Sequence, residues 1–311
     1  MAALTEGEKN QIDVLEGLGY TRRKIAEVVL GRPSRKSTVS DYLSGLDNPF
    51  PVESEDDPKV LLVDIESSFQ IFGGFRRFDQ NFSESQVFEW TKLLGLCAKW
   101  LGSDDMIEVW PEKFSEWSGD DSQRRILEKA WKLLDRAEYV IAHNVSFDTK
   151  MLNTFFIMNG LGKPSPYRVI DTLRIARANF RFDSNKLDSL GKFLKVGRKT
   201  PHTGFALWAD CAKGDADAWR HMIKYCAQDV DLLEEVYYKI RHWDKNFANL
   251  AIHYDDDVVR CGVCLSEDLT DTGKHVFTNT KQYKLFQCNG CKAWQRTRKA
   301  DKRGTKTLAG I

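Results

Sequence analysis

The most constraining stretch of this chain is Val60–Glu66, in which four apolar residues lead into two carboxylates that are one residue apart. The apolar run is short, β-branched at both ends and preceded by Pro58, which predicts a buried strand. Because side chains alternate along a strand, Asp64 and Glu66 point to the same face. Two like charges at the end of a buried strand are costly unless a cation lies between them, and hard divalent cations prefer such oxygen ligands. We therefore expect a carboxylate metal site there.

Length and composition indicate a multidomain protein of ordinary globular type. A chain of 311 residues, with 42% hydrophobic and 29% charged residues, is expected to hold about two domains and a sizeable core. The net charge of +1 excludes a polycation. No stretch reaches the roughly 20 apolar residues of a membrane span, and the N-terminus has no signal-peptide core. We expect an intracellular, cytoplasmic protein without a membrane partner.

The N-terminal region, residues 1–46, is predicted to be a small all-α module. The pattern "YTRRKIAEVVLGRPSRKSTVSDYL" resembles a helix-turn-helix, whose second helix enters the DNA major groove. Arg35 and Lys36 are then candidate DNA contacts. A three-helix bundle that contacts protein is the alternative. Residues 47–58 are rich in Pro and acidic side chains and are predicted to be a linker.

Residues 59–245 are predicted to form an α/β domain with a mixed sheet. Strands are expected at 92–100, 106–110, 139–142 and 168–170, and helices at 122–137, 149–158, 171–178, 187–194 and 216–242. The aromatic stretch after Glu66 fits an extended arm or a hairpin strand.

Further carboxylates lie at positions that suit a shared metal site with Asp64 and Glu66. Asp148 follows a predicted strand and opens a helix, and Asp229 follows Tyr225 by four residues, so that both share one helix face. Four carboxylates around two Mg²⁺ or Mn²⁺ ions suit phosphoryl transfer, with Tyr225 near the attacking water. Taken alone, Asp148 is a helix cap and Tyr225 a core aromatic. Asp171 is read as a helix cap, and Asp231 as a solvated helix residue.

Three motifs in order, "VDIES", "AHNVSFD" and "YCAQD", resemble the DEDD superfamily of 3′→5′ exonucleases, the DnaQ-like family with the ribonuclease H fold. The Tyr-x-x-x-Asp form resembles its DEDDy branch, and the segment after Gly73 resembles stand-alone phage and bacterial members, which would place a viral protein in the host cytoplasm. "VIDTLRIAR" and "KLDSLGKFLKV" support the resemblance, which covers 59 to about 242. It implies a ribonuclease-H-like mixed five-stranded sheet with helices.

The resemblance also implies roles for single residues. Asp64, Glu66 and Asp229 would bind metal directly, Asp148 would hold the second ion, and Tyr225 would orient the nucleophilic water. Ser67 would lie near the 3′-terminal nucleotide, and Asn144 and Phe147 would support the substrate or the fold. His143 is read as a structural neighbour of the site. The chain departs from the family's commoner Thr-x-Pro after Glu66, where it has Ser-Ser-Phe.

A C-terminal module, residues 251–311, contains two Cys-x-x-Cys pairs and a basic tail. Cys261, Cys264, Cys288 and Cys291 fit one structural Zn²⁺ in a zinc ribbon. Trp294 and Arg296 are candidate nucleic-acid contacts, although the tail could instead be a solvated end. Cys97, Cys211 and Cys226 are read as plain core residues.

Together these features predict a two-metal-ion 3′→5′ exonuclease flanked by two binding modules. Its expected partner is nucleic acid, DNA with a free 3′ end before RNA, with replication or repair proteins as further partners. Three alternatives stay open: an RNA exonuclease, a structure-specific endonuclease, and a DNA-binding replication accessory protein or regulator with a nuclease-like core.

Overall fold

The structure is a computed structural model that describes residues 4–17, 22–31, 39, 57–76, 81–198 and 203–303. The N-terminal part contains helices α1 (Glu6–Gly17) and α2 (Arg22–Leu30). Ile12, Ile25 and Ala26 are fully buried between them, together with Val39. The described residues of this part form a small helical core, whereas the proposed DNA contacts Arg35 and Lys36 lie outside the described residues.

The central domain combines a five-stranded sheet with helices on both faces. Its strands and helices follow the chain as β1 (Val60–Ser67), β2 (Ile71–Phe72), β3 (Val87–Glu89), β4 (Leu93–Trp100), β5 (Ile107–Val109), α3 (Asp120–Arg136), β6 (Tyr139–Ala142), α4 (Val145–Met158), β7 (Arg168–Asp171), α5 (Thr172–Asn179), α6 (Leu187–Phe193), α7 (Phe205–Ala212) and α8 (Ala216–Ile240). Short 3₁₀ turns span Glu84–Gln86, Phe114–Glu116, Arg241–Trp243 and Leu250–His253.

Strand β1 lies in the middle of the sheet, whose order is β5-β4-β1-β6-β7. It pairs with β4 antiparallel and with β6 parallel, and β6 pairs with β7 parallel. Val60–Val63 are buried on both faces, because helices cover both sides of a central strand. The predicted mixed five-stranded α/β sheet is confirmed.

The two faces of β1 pack against different helices. Leu61, Val63 and Ile65 share a core cluster with apolar residues of α3 and α4, whereas Val60 and Leu62 share one with residues of α8. The alternation continues to the end of the strand, so the side chains of Asp64 and Glu66 face α8.

Helix α8, with 25 residues, is the element that covers this face. The Asp215 side chain caps its N-terminus by accepting hydrogen bonds from the Asp217 and Ala218 amides. Its buried apolar residues recur at helical spacing, among them Trp219, Met222 and Cys226. The length of α8 lets it lie against both β1 and β4.

A buried ion pair ties α8 to the sheet. Lys99 on β4 is 1% exposed, and its ammonium group pairs with Glu234 and lies 3.5 Å from a carboxylate oxygen of Asp231. Glu234 also accepts hydrogen bonds from the Gly102 amide at 3.0 Å and the Tyr238 hydroxyl at 3.2 Å. The prediction that Asp231 is merely a solvated helix residue is wrong, because its carboxylate faces this buried lysine.

The largest difference from the predicted bounds is at the start of a helix. Helix α4 begins at Val145, four residues before the expected Thr149, because Asn144 adopts a left-handed conformation (φ 74°) that turns the chain straight into the helix. Thr149 lies inside the helix and donates its hydroxyl to the Val145 carbonyl. Helix α7 was not predicted.

The C-terminal module contains β8 (Leu269–Phe277), β9 (Lys281–Cys288), β10 (Trp294–Arg296) and β11 (Lys302–Arg303). The other three strands pair with β9 antiparallel. Its cysteines share a buried cluster with Tyr237 near the end of α8. The Leu250 amide donates to the Gly262 carbonyl at 2.8 Å. The module therefore packs against the α/β domain. Within the described part of the chain, no helix combines the length and apolar character that crossing a membrane requires.

Candidate metal and active site

The candidate site is centred on the carboxyl end of β1. Glu66 is buried, at 8% exposure, and Asp64 is half-buried beside it. Carboxylate oxygens of both residues and the sulfur of Cys226 on α8 all lie within 4.8 Å of one another. The same face of the strand thus presents two carboxylates to one small volume, as the alternation of side chains predicts.

Asp148 on the first turn of α4 adds a third carboxylate. It is 5% exposed, and its pKa is raised well above the ordinary aspartate value, first by burial and then by the negative charge of Asp64. Backbone hydrogen bonds from Ile65 and from Asp148 itself partly oppose this shift. Asp148 and Asp64 are therefore close enough to repel each other, although they come from different elements.

Helix α8 supplies Tyr225 and Asp229, which are 7% and 1% exposed. The Tyr225 ring packs edge-on against Trp208 of α7, with ring centroids 6.1 Å apart. Cys226, the next residue, lies 3.4 Å from the Asp64 carbonyl oxygen and 3.6 Å from its carboxylate. The turn of α8 that bears Tyr225 is thereby brought directly against Asp64.

Cys226 is a site neighbour that the sequence reading missed. It is buried as predicted, but its thiol contacts Asp64 instead of apolar groups alone. Burial raises the pKa of the Cys226 thiol, which keeps it protonated and able to donate to the carboxylate. Its position directly after Tyr225 is the signal that could have placed it in the site.

Gly95 and Trp110 are a second missed feature. Gly95 on β4 lies opposite Glu66 in the ladder, and a Cβ atom on it would fall 2.3 Å from the Trp110 ring. Only glycine therefore lets the indole lie flat on the strand beside Glu66.

The other polar residues near the site have structural partners. Asp171 caps α5 by accepting hydrogen bonds from the Leu173 and Arg174 amides, which confirms its predicted role. It also accepts a hydrogen bond from the Asn144 amide at 3.1 Å and so fixes the turn before Asp148. The His143 ring nitrogens lie 2.9 Å from the Thr172 hydroxyl and 2.8 Å from the Asn185 carbonyl. His143 is held in place as a structural neighbour.

The predicted substrate-contacting residues lie in separate places. Ser67 is half-buried at the end of β1, where the register with β4 shifts. Asn144 and Phe147 line a cleft of about 410 Å³ beside Lys150 at the start of α4, and Phe147 is 49% exposed. Trp294 and Arg296 lie on the C-terminal sheet, where the Arg296 guanidinium stands 3.8 Å above the Tyr283 ring.

The carboxylate cluster fits a hard divalent cation. Burial and like charge raise the pKa of Asp148, and a cation among these oxygens would remove both penalties at once. Mg²⁺ and Mn²⁺ take oxygen ligands of this kind. Asp64, Glu66 and Asp148 are therefore candidate ligands, and the protonated Cys226 thiol donates to Asp64 beside them.

The four cysteines of the C-terminal module form a second candidate metal site. Their sulfurs are buried and lie within 4.8 Å of one another, at 3.6 Å for Cys261–Cys291 and for Cys264–Cys288. A tetrahedral zinc ion with sulfurs about 2.3 Å away separates them by about 3.8 Å, so the geometry fits Zn²⁺ and excludes disulfides.

The two Cys-x-x-Cys turns have the same backbone conformation. Leu265 and Lys292, the residues after each pair, both adopt left-handed conformations, with φ of 64° and 62°. Their amides donate to the carbonyls of Cys261 and Cys288 at 2.8 and 3.0 Å. The Gln295 amide group also lies 2.7 Å from the Cys261 sulfur, which orients this ligand.

The fold and the carboxylate site define an RNase H-like α/β domain. Residues 105–241 match the family model RNase_H_2 of the RNase_H superfamily. The matched segment contains Asp148, Tyr225 and Asp229 and begins after Asp64 and Glu66.

The chain is also similar to PolC-type DNA polymerase III of Listeria welshimeri, Listeria monocytogenes and Listeria innocua. Each is 33% identical to it over 105 residues, which is 33% of this chain. The match covers only 6% of the length of these polymerases, so the likeness concerns one segment of them.

Proposed function

We propose that this protein is a two-metal-ion 3′→5′ exonuclease that hydrolyses nucleic acid, with DNA as the first substrate, to nucleoside monophosphates. The observation that supports the proposal is the meeting of Asp64, Glu66 and Cys226 of α8 at the end of β1, with the charge of Asp64 helping to raise the pKa of Asp148. Similarity to DNA polymerases favours DNA over RNA.

In this proposal Asp64, Glu66, Asp148 and Asp229 hold two Mg²⁺ or Mn²⁺ ions. When bound, such ions lower the pKa of an attacking water and stabilise the leaving oxygen. The phenol of Tyr225 orients the nucleophilic water, and its packing against Trp208 limits the positions of the ring. The protonated Cys226 thiol and the Trp110 ring exclude bulk water from the inner side of the carboxylates.

The direction of attack is tested with single strands labelled at either end. With Mg²⁺, a 5′-labelled strand should give a ladder that shortens one nucleotide at a time, and a 3′-labelled strand should release labelled mononucleotide first. EDTA should stop both reactions. Internal cuts on a strand with a blocked 3′ end would contradict the proposal and favour an endonuclease.

The same assay with RNA strands of matched sequence compares the cleavage of DNA with that of RNA. We expect kcat/KM to be higher on DNA. Equal or faster cleavage of RNA would leave the metal chemistry intact but overturn the choice of substrate.

The C-terminal cysteines are proposed to hold one structural Zn²⁺, and Trp294 and Arg296 beside them to contact the nucleic-acid strand. The four-sulfur geometry supports the first part, and the exposure of Trp294, 50%, supports the second. Trp294→Ala should weaken binding of a long strand, measured by fluorescence anisotropy, without changing the zinc content.

A further inference from the structure

A hairpin of exposed aromatic rings extends from the carboxyl end of β1, where the candidate site lies. We call residues 68–76 and 81–92 the aromatic arm. The Ser68 amide donates to the Lys92 carbonyl, and the Lys92 amide donates to the Ser68 hydroxyl, both at 2.9 Å. Beyond this junction β2 pairs with β3 apart from the main sheet. The arm therefore continues the β1–β4 ladder outward, and Glu66 lies only two residues before its base.

The arm exposes large aromatic side chains that nothing in the described part of the chain covers. Phe88 is 72% exposed, and Phe75 is fully exposed. The exposed rings of the arm are Phe72, Phe75, Phe82, Phe88 and Trp90. Single exposed apolar residues are common on protein surfaces, but a contiguous group of them marks an interaction site.

Polar contacts hold this hairpin in shape although it has little core of its own. The Gln86 side chain donates to the Gly73 carbonyl at 3.0 Å and accepts from the Ser83 amide at 2.9 Å. A Cβ atom on Gly73 would lie 2.6 Å from the Phe88 ring, so this ring rests directly on the glycine backbone. Phe72 and Phe82 stack with centroids 4.7 Å apart. Phe72, Phe82 and Phe88 are thus held in place before any partner binds.

We propose that the aromatic arm binds the single-stranded part of the substrate by base stacking, upstream of the nucleotide that is cleaved. This inference rests on the proposed function for the identity of the strand. It deepens that function by assigning a binding surface outside the metal centre.

The kind of ligand that binds the aromatic arm follows from the arm's position and chemistry. Its described charged residues are Arg76, Lys92, Glu84 and Glu89. Their formal charges sum to zero, so attraction of phosphate groups does not dominate there. Aromatic faces stack with every base, which suits an enzyme that must hold any sequence. The arm is also continuous with the strand that bears Asp64 and Glu66, so a polymer that ends in the metal centre can run along it.

The reach of the arm predicts that its contribution to binding depends on the length of the nucleic-acid strand. Glu66 and Phe72 are six residues apart, which corresponds to roughly 20 Å of extended chain. At about 3.4 Å per stacked nucleotide, the rings meet bases about six nucleotides from the cleaved bond. Strands of three or four nucleotides are too short to reach them.

The test compares the double variant Phe72→Ala/Phe88→Ala with the unchanged protein on a 20-nucleotide and a 4-nucleotide thymidine strand. We expect KM for the long strand to rise at least about tenfold, since each lost stacking contact weakens binding measurably, while KM for the short strand changes less than about twofold. Both side chains are partly or largely exposed, so circular dichroism and the melting temperature should stay unchanged. Ile157→Ala, at another exposed apolar residue, is the matched control for both strands.

An equal loss on both strands, or no loss on either, overturns the inference. So does a concentration-dependent dimer, seen by sedimentation, that disappears in the double variant while affinity for the long strand stays the same. Binding of the long strand is also measured by anisotropy in EDTA, where no hydrolysis is required. A length-dependent loss of binding there, without hydrolysis by any form of the protein, would reject the proposed nuclease and leave the arm as a strand-binding surface.

Discussion

At the scale of single residues, the proposed role of Tyr225 can be tested by removing its hydroxyl. Its ring is 7% exposed and packs on Trp208, while the next residue touches Asp64. In the proposed function, the hydroxyl in that position orients the attacking water. Tyr225→Phe should therefore lower kcat about 10- to 100-fold with little change in KM, as expected for a loss of positioning.

Tyr237→Phe is the matched control, because Tyr237 is a buried tyrosine on the same helix near the cysteine module. It should leave kcat within about twofold. Equal losses of kcat in the two variants would contradict the role of Tyr225.

The raised pKa of Asp148 predicts how the stability of the metal-free protein depends on pH. Burial and the charge of Asp64 raise its pKa, so the folded state binds this proton more tightly than the unfolded chain. Stability of the metal-free protein should therefore fall as pH rises from the ordinary aspartate value of 3.8 through the raised value. Asp148→Asn should raise the melting temperature in EDTA at pH 7 by about 2–4 °C, with a gain that shrinks towards pH 4.

The exposed Asp105→Asn serves as the control and should show no such trend. Saturating Mg²⁺ should reverse the order, because the variant then lacks a charged ligand. A melting temperature of Asp148→Asn below that of the unchanged protein in EDTA at pH 7 would contradict the charge repulsion.

The placement of several of these side chains could be predicted from the sequence, because it follows from the local geometry of a strand or a helix start. The alternation along β1 put Asp64 and Glu66 on one face, and a strand followed by a helix made Asp171 a cap. The contact between Cys226 and Asp64 joins residues 162 positions apart, and no local pattern specifies it. The left-handed Asn144 is likewise set by the turn and the Asp171 carboxylate.

At the scale of elements, the position of α8 on the sheet depends on a buried charge. Lys99 is 1% exposed, and Glu234, its partner on α8, is 2% exposed. Lys99→Met would leave the Glu234 carboxylate buried without its cation, which typically costs about 3–5 kcal/mol. Urea denaturation should show a loss of this size, and Lys99→Met/Glu234→Gln should recover part of it.

The exposed pair Lys213–Asp210 provides the control, since side chains that are 72% and 48% exposed interact weakly through solvent. Lys213→Met should leave the midpoint of urea denaturation almost unchanged. An equally small effect of Lys99→Met would show that this pair does not fix α8.

Most helices and strands of the central domain were predictable because their apolar periodicity is strong. The α7 helix was not, because its eight residues contain too few turns to show a clear period. The partner of Lys99 was missed for a different reason. A lysine in a strand and an aspartate on a helix both look solvated until the fold brings them together.

At the scale of the whole molecule, the cysteine module is joined to the α/β domain by a shared core. Cys261, Cys288, Leu250 and Tyr237 belong to one buried cluster. Zinc binding should therefore stabilise more than its own loops. Elemental analysis should find one zinc per chain, and Cys288→Ser should lose it and lower the melting temperature of the whole chain.

Cys211→Ser is the control, because Cys211 is buried but lies on α7 and is not one of the four clustered cysteines. It should keep the zinc. A zinc content near zero in the unchanged protein, or full zinc in Cys288→Ser, would contradict a four-cysteine site.

The division of the chain into modules stays a prediction that rests on changes in composition and on the cysteine spacing. The packing of the cysteine cluster against α8 could not be predicted, because it depends on side chains that look alike in any core. The helix-turn-helix prediction stays a prediction, since Arg35 and Lys36 lie outside the described residues.

The most direct measurement of the central claim is single-turnover hydrolysis of a 5′-labelled single-stranded DNA by parallel preparations of the unchanged protein and Asp64→Asn. With Mg²⁺ or Mn²⁺ the unchanged protein should shorten the strand from its 3′ end, and Asp64→Asn should be at least roughly 100-fold slower while it still binds the strand. Absence of hydrolysis with either metal, or equal rates in the two preparations, would contradict the assignment of the β1 carboxylates as a nuclease centre.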